Sequence, residues 1–268
     1  MSDASRKILA ILLAFFALIP ADQLFAELIP VRHSEGMSLG FLVVRDPDGR
    51  VIAYGKLKQV LKEGIVTDDL VFRFKDGSFY QEVTKFTEYR AFRLVSDHVV
   101  QKGPSFKQDT ETWIDARRGS VRVQSSEDGK SKLTDKNLQL PADVSNGLLL
   151  TLVKNLSPAT PKTTVSMVAA STKPRVVKLE IVPAQERTIR VGLITNVAQE
   201  YVVKTKIQGV AGVVAPLVGK QPPDTHILII KGEVPSFVQF VGQLSQDSPV
   251  WRIEVTAPEP DSPNVKIK

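Results

Sequence analysis

Histidine is the side chain best placed to exchange protons near neutral pH, and this chain of 268 residues has 3: His33, His98 and His226. They lie in distant segments, with no second histidine or carboxylate at metal-ligand spacing and no HExxH pattern. His33 falls in the N-terminal stretch and the other two fall in predicted strands, where an ordinary surface or half-buried histidine is expected. Nucleophile motifs are missing. No GxSxG elbow occurs, and Ser105, behind Gly103-Pro104, lacks the strand–turn–helix setting such a serine needs. The absence of cysteine excludes thiolate catalysis, thiolate metal ligation and redox switching. The run Gly212 to Lys220 ends in Gly219-Lys220, but its spacing is not that of a phosphate loop and Gln221 stands where the metal-binding hydroxyl belongs.

The carboxylates give no better start. Asp46-Pro47-Asp48-Gly49 lacks the other ligands of a calcium loop and reads as a type I turn, with proline second and glycine fourth. Asp68 and Asp69 are adjacent in a strand, so they point to opposite faces and cannot act as a paired acid and base. Asp109, Glu111 and Asp115 share one strand face, where solvation is the default. Asn155-Leu156-Ser157 spells a glycosylation sequon with Pro158 behind it. No enzyme activity, cofactor or metal is expected from these residues.

The elements that would position a site are mostly strands. Phe41–Val44 and Val51–Tyr54 flank the Asp46–Gly49 turn as a first hairpin over 38–60, apolar on both faces. Asp76-Gly77 reads as a two-residue primed turn. Folding about it pairs Lys75 with Ser78, Phe74 with Phe79, Phe72 with Gln81 and Leu70 with Val83, which puts the phenylalanines on one face. Strands are predicted to continue at Tyr89–Val100, Phe106–Asp115 and Ser120–Ser125, and Asp128-Gly129 offers another turn. Val144, Leu148, Leu149, Leu152, Val153 and Leu156 then recur at helical spacing, predicting an amphipathic helix over 144–156 with Asp143 as its N-cap and Pro158 as its stop. Residues 157–164 read as a linker or loop. Strands resume at Val165–Ala169, Val176–Val182, Thr188–Thr195, Tyr201–Gln208, His226–Lys231 and Val250–Thr256. Phe237–Leu244 fits either period and is assigned to strand because Pro235, Gly242 and the β-branched neighbours oppose a helix. Residues 209–220 read as a loop and 257–268 as a frayed tail.

Residues 1–26 read as a cleaved secretory signal: Arg6 and Lys7, then an unbroken apolar run from Ile8 to Ile19, then Pro20 and a short stretch ending at Ala26. That run is too short for a membrane-spanning helix, which needs about 20 residues. An uncleaved anchor is the other reading. The formal net charge of +6 suits anionic head groups or acidic glycans rather than nucleic acid in an exported, periplasmic or extracellular protein. The lysines are scattered through alternating strands, as a solvated sheet face would have them.

The fold class expected is therefore mainly β, an antiparallel curved sheet or incomplete barrel with one amphipathic helix. The segments 37–156 and 165–256 form either one sheet or two β subdomains. Aromatic side chains concentrate between Phe41 and Trp113, so the first half holds the bulkiest interior. Phe72, Phe74, Phe79, Phe92 and Trp113 form the candidate binding face. Either this face is sealed as a dry core by the helix, or it lines an open concave groove for a lipid or acyl chain.

The phrases Phe72-Arg73-Phe74-Lys75-Asp76-Gly77, Trp113-Ile114-Asp115-Ala116-Arg117-Arg118-Gly119 and Val250-Trp251-Arg252-Ile253-Glu254-Val255 sit in a layout of signal, strand meander, one helix and further strands. This layout resembles exported half-barrel carriers of the LolA and LolB type. The resemblance implies an open barrel with an apolar concave face and no catalytic activity. The expected function is an exported, non-catalytic binding protein or carrier for an apolar or lipid-like envelope component, with a lipid or lipoprotein as partner. The alternative is a structural or assembly protein of the envelope that acts through protein–protein contacts at its sheet edges.

Overall fold

The computed structural model describes residues 28–127, 129–191, 193–206, 222–245 and 248–257. The predicted signal over 1–26, the predicted loop over 209–220 and the tail beyond 257 lie outside the described residues. From mid-sheet the chain runs through β1 (Ser38–Arg45), β2 (Val51–Lys62), β3 (Ile65–Phe74) and β4 (Phe79–Thr87). It continues through β5 (Arg93–Lys102), β6 (Asp109–Asp115), β7 (Ser120–Glu127) and β8 (Lys130–Asn137) to one edge. A connection holding the helix α1 (Leu149–Asn155) carries it to the opposite edge. It then returns through β9 (Thr163–Ala169), β10 (Arg175–Val191), β11 (Ile194–Lys206), β12 (Thr225–Ile230), β13 (Ser236–Gln243) and β14 (Val250–Thr256). The order is β8-β7-β6-β5-β4-β3-β2-β1-β14-β13-β12-β11-β10-β9, a 14-stranded antiparallel sheet. Pairing of β1 with β14 places both halves of the chain in that one sheet.

The sheet is curled. Phe74 on β3 and Trp251 on β14 are three strand positions apart, about 14 Å on a flat sheet, yet their rings are 5.2 Å apart. Small inner-face residues between them make this convergence possible. Ala53 is fully buried, and a Cβ on Gly55 would sit 2.3 Å from the Phe72 ring that covers it. The sheet does not close, and β8 and β9 remain its two edges. Mainly β, antiparallel, curved and unclosed, with one helix among the described residues, it is the expected fold class.

The Asp46–Gly49 turn forms as expected: Gly49 N donates to Asp46 O (2.9 Å), and Gly49 is at φ +84°. The Asp76-Gly77 hairpin corrects the expected register. Phe74 N donates to Ser78 O (2.9 Å) and Gly77 N to Phe74 O (3.1 Å), so Lys75, Asp76 and Gly77 form a three-residue loop with Gly77 left-handed. Phe72 therefore faces Tyr80 and Arg73 faces Phe79. Asp76 favours the wider loop by accepting from Ser78 N (2.9 Å) and Ser105 Oγ (2.7 Å). A one-residue change of register exchanges faces, which sends Phe79 outward and Tyr80 inward.

The helix is shorter than its apolar pattern, Leu149–Asn155 rather than 144–156, and Asp143 is not its cap. Gly147 at φ +69° sits so close to Thr84 that a Cβ would be 1.9 Å from its hydroxyl, and the chain before it runs in turns around an isolated bridge from Val144 to Ser166. Ser145 N donates to Ser166 O (2.9 Å) and Ser166 N to Asp143 O (3.2 Å), covering the free edge of β9. Asp143 instead accepts from Ser166 Oγ (2.7 Å) and Lys178 Nζ (3.2 Å). Val144, Leu148, Leu152 and Val153 are all buried, so the pattern marked core-facing residues beyond the helix itself. Val176–Val182 and Thr188–Thr195, expected as separate strands, largely merge into β10, whose register shifts between Pro183 and Glu186. Proline is tolerated in a strand at such a bulge.

Candidate functional site

The inner face carries two apolar clusters. One gathers Val66, Phe86, Phe92, Leu94 and Ile114 under Leu148, Leu152 and Val153. The other gathers Leu42, Phe72, Phe74, Tyr80, Phe106 and Trp251. Beside the first cluster is an open cavity of about 290 Å³, lined by Thr87, Arg93, Leu94, Val95, Ala116, Arg117, Leu140, Pro141, Ala142 and Val144. Its walls are fixed by backbone bonds. Ala116 N donates to Val95 O (3.1 Å), Leu138 N to Gly119 O (2.8 Å) and Val144 N to Pro141 O (3.1 Å). Asp115 accepts from Arg117 N (3.0 Å), which holds the β6–β7 turn. Leu94 and Val144 are buried, whereas Arg93 and Arg117 are exposed. The site thus combines an apolar floor with two guanidinium groups, which make no ion pair among the described residues. Its volume is near the lower limit of small-molecule sites, about 300 Å³.

Between the two clusters runs a polar seam. Gln59 Nε2 donates to Asp68 Oδ1 (2.9 Å), Thr84 Oγ1 to Asp97 Oδ1 (2.9 Å) and the Tyr80 hydroxyl to Glu82 Oε2 (3.3 Å). Lys154 of α1 is paired with Glu35 (2.5 Å). Burial raises the Asp68 carboxyl to about 6; the Gln59 hydrogen bond opposes the rise, Glu35 adds to it and Lys154 opposes it. Burial also pushes Glu82 and Asp97 upward, Glu82 further because Asp97 is near, while Thr84 and His98 pull Asp97 back. Tyr80 is raised by burial and by the same two carboxylates. The seam can hold protons, but none of its carboxyl groups lines the cavity.

The structure divides the five aromatic residues singled out in the sequence. Phe72 and Phe74 share the second cluster, with Phe74 edge-on to Phe106 (5.5 Å). Phe92 is in the first, 6.2 Å from Phe86. These three are buried against the protein's own side chains. Phe79 and Trp113 lie on the outer face, Phe79 beneath Arg73 (5.3 Å) and Trp113 stacked on His98 (5.2 Å, 11°). Sequence reasoning missed Arg93, Leu94, Arg117, Leu140 and Val144 as neighbours, because only the fold brings the β5 start, the β6–β7 turn and the connection before α1 together. The Arg117-Arg118-Gly119 turn was the one legible trace.

The polar residues resolve into local bonds. His98 Nε2 donates to Glu111 Oε1 (2.9 Å) and His226 Nδ1 to Glu200 Oε1 (2.9 Å), cross-strand pairs that linear spacing did not reveal. Asp109 accepts from Gly103 N (2.8 Å). Asp68 and Asp69 point to opposite faces, Asp69 accepting from Gln81 Nε2 (2.7 Å). Asn155 of the sequon is buried: its Oδ1 accepts from Arg32 N and His33 N (both 2.8 Å), and its Nδ2 donates to Thr151 O (2.9 Å). Among the described residues, no group of three or more His, Cys, Asp and Glu side chains could hold a metal ion. Comparison with protein-family models, with curated proteins and with solved structures found no match.

Proposed function

We propose that the protein is an exported, non-catalytic binding protein for a small anionic amphiphile of the envelope, a lipid-like molecule with a short apolar portion. The supporting observation is the cavity of about 290 Å³ with an apolar floor at Leu94, Ala116, Leu140 and Val144 and with Arg93 and Arg117 at its margin. An apolar chain gains about 0.8 kcal/mol per buried CH₂ there, and guanidinium groups suit carboxylate or phosphate geometry. This keeps the carrier function implied by the half-barrel layout and places the ligand beside the helix-packed cluster rather than on the aromatic one.

A fluorescent short-chain fatty acid tests this reading. Saturable binding is expected, lost in Ala142→Trp, which fills the cavity, and weakened about tenfold in Arg93→Glu/Arg117→Glu, with the melting transition of each variant retained. No saturable uptake, or uptake indifferent to both changes, overturns the proposal. The assembly alternative gains nothing from the sheet edges. β9 is covered by Asp143–Asn146, and β8 carries Lys130, Lys132 and Lys136, a composition that resists edge-to-edge pairing.

A further inference from the structure

The outer face around β1 and β2 combines exposed apolar side chains with several cations. Leu39 is 58% exposed, Phe41 37% and Tyr54 48%. Register places Leu39 opposite Lys58, Phe41 opposite Lys56 and Val43 opposite Tyr54. On the far side of β2, Tyr54 faces Arg73, which lies over the Phe79 ring, and Lys75 lies over Tyr54 (5.8 Å). Lys56, Lys58, Arg73 and Lys75 make no ion pair among the described residues. Two carboxylates flank the patch: Asp69, opposite Lys58 in the register, accepts from Gln81 Nε2 and keeps its charge, and Glu254 is shared by Arg45 and Arg252 (both 2.9 Å).

We infer that this face docks the protein on an anionic membrane surface, with Leu39, Phe41 and Tyr54 at the head-group boundary and the four cations against lipid phosphates. The charge is complementary to such a surface. Lysine stems can lie along apolar surface while their ammonium groups reach the head groups, and tyrosine suits a boundary that is apolar on one side and wet on the other. Each cation near such a surface strengthens binding severalfold, an effect salt weakens. This inference is independent of the cavity reading, which involves other residues.

Co-sedimentation of the full chain with phosphatidylglycerol–phosphatidylcholine vesicles, and with phosphatidylcholine vesicles alone, tests it. Binding is expected to the anionic vesicles, falling as salt rises and reduced about tenfold or more in Lys56→Glu/Lys58→Glu, two exposed positions, with the melting transition of the variant retained. In Tyr54→Trp the added tryptophan emission should shift to the blue on anionic vesicles. Equal binding to neutral vesicles, full binding by the charge-reversed variant, or no shift from Tyr54→Trp overturns the inference. So does loss of binding only in Leu193→Ser/Ile194→Ser, at the exposed β10–β11 tip, or binding to a heparin fragment in preference to vesicles. Fatty-acid uptake should be unchanged in Lys56→Glu/Lys58→Glu, so failure here leaves the cavity reading to its own test.

Discussion

At the Val66–Phe86 end of the inner face, chain from outside the sheet covers it: Ile29, the connection through Val144 and Leu148, and α1 with Leu152 and Val153. At the Phe72–Tyr80 end the sheet covers itself, curling until Trp251 of β14 meets Phe74 of β3, while Phe106 folds in from the β5–β6 loop. The first cluster is mostly aliphatic and has an open cavity beside it. The second is aromatic and is built over small residues, Ala53 and Gly55. A sheet that covers itself needs large side chains above small ones, whereas one covered by added chain can adjust to what lies on it.

The largest effect should come from breaking the self-covered end. Phe72→Ala removes a fully buried ring from above Gly55, where no side chain exists to fill the space. A loss of about 4 kcal/mol is expected in urea unfolding. Leu152→Ala, on the buried side of α1, should cost less, about 3 kcal/mol. A smaller loss at Phe72 than at Leu152 would show that the two ends do not differ in this way.

A second, smaller effect separates the clusters from the seam between them. Asp68 titrates at about 6 in the folded protein, and burial raises Asp97 and Glu82 too. A carboxyl raised above its unfolded value holds its proton longer folded than unfolded, so its contribution is full below about pH 4 and is lost as pH rises through the folded value. Stability from these groups should therefore fall by about 2 kcal/mol between pH 5 and pH 8, read as a falling melting temperature. A melting temperature that rises over that window would mean that the seam is ionised and well paired.

Apolar runs, turn residues and strand alternation made most of the sheet legible: β1, β2, β7, β9, β12, β13 and β14 fall close to their expected positions. β8 was not legible, because Lys130–Asn137 has a single large apolar residue, Leu133, and that is exposed. Hydrogen bonds to β7 hold this strand without hydrophobic patterning. The aromatic face was misassigned at Phe79 because Asp-Gly spelled a two-residue turn while Asp76, through Ser78 and Ser105, stabilised a three-residue one. The seam was invisible because its partners, Thr84 with Asp97 and Tyr80 with Glu82, meet only across strands or on one folded face.

Glu82→Gln gives the smallest effect and the sharpest test of the seam. The side chain keeps an oxygen to accept from the Tyr80 hydroxyl, so the hydrogen bond now at 3.3 Å can persist. What disappears is the charge that Glu82 takes on as pH rises beside Asp97 in a desolvated setting. At pH 5 Glu82 already holds its proton in the folded state, and the substitution should be close to neutral. At pH 8 the variant should be more stable than the parent by about 1 kcal/mol, and its melting temperature should decline less steeply between the two values. Equal destabilisation at both values would assign Glu82 a purely geometric role beneath Tyr80, and the seam would then be an extension of the aromatic cluster rather than a boundary between the two.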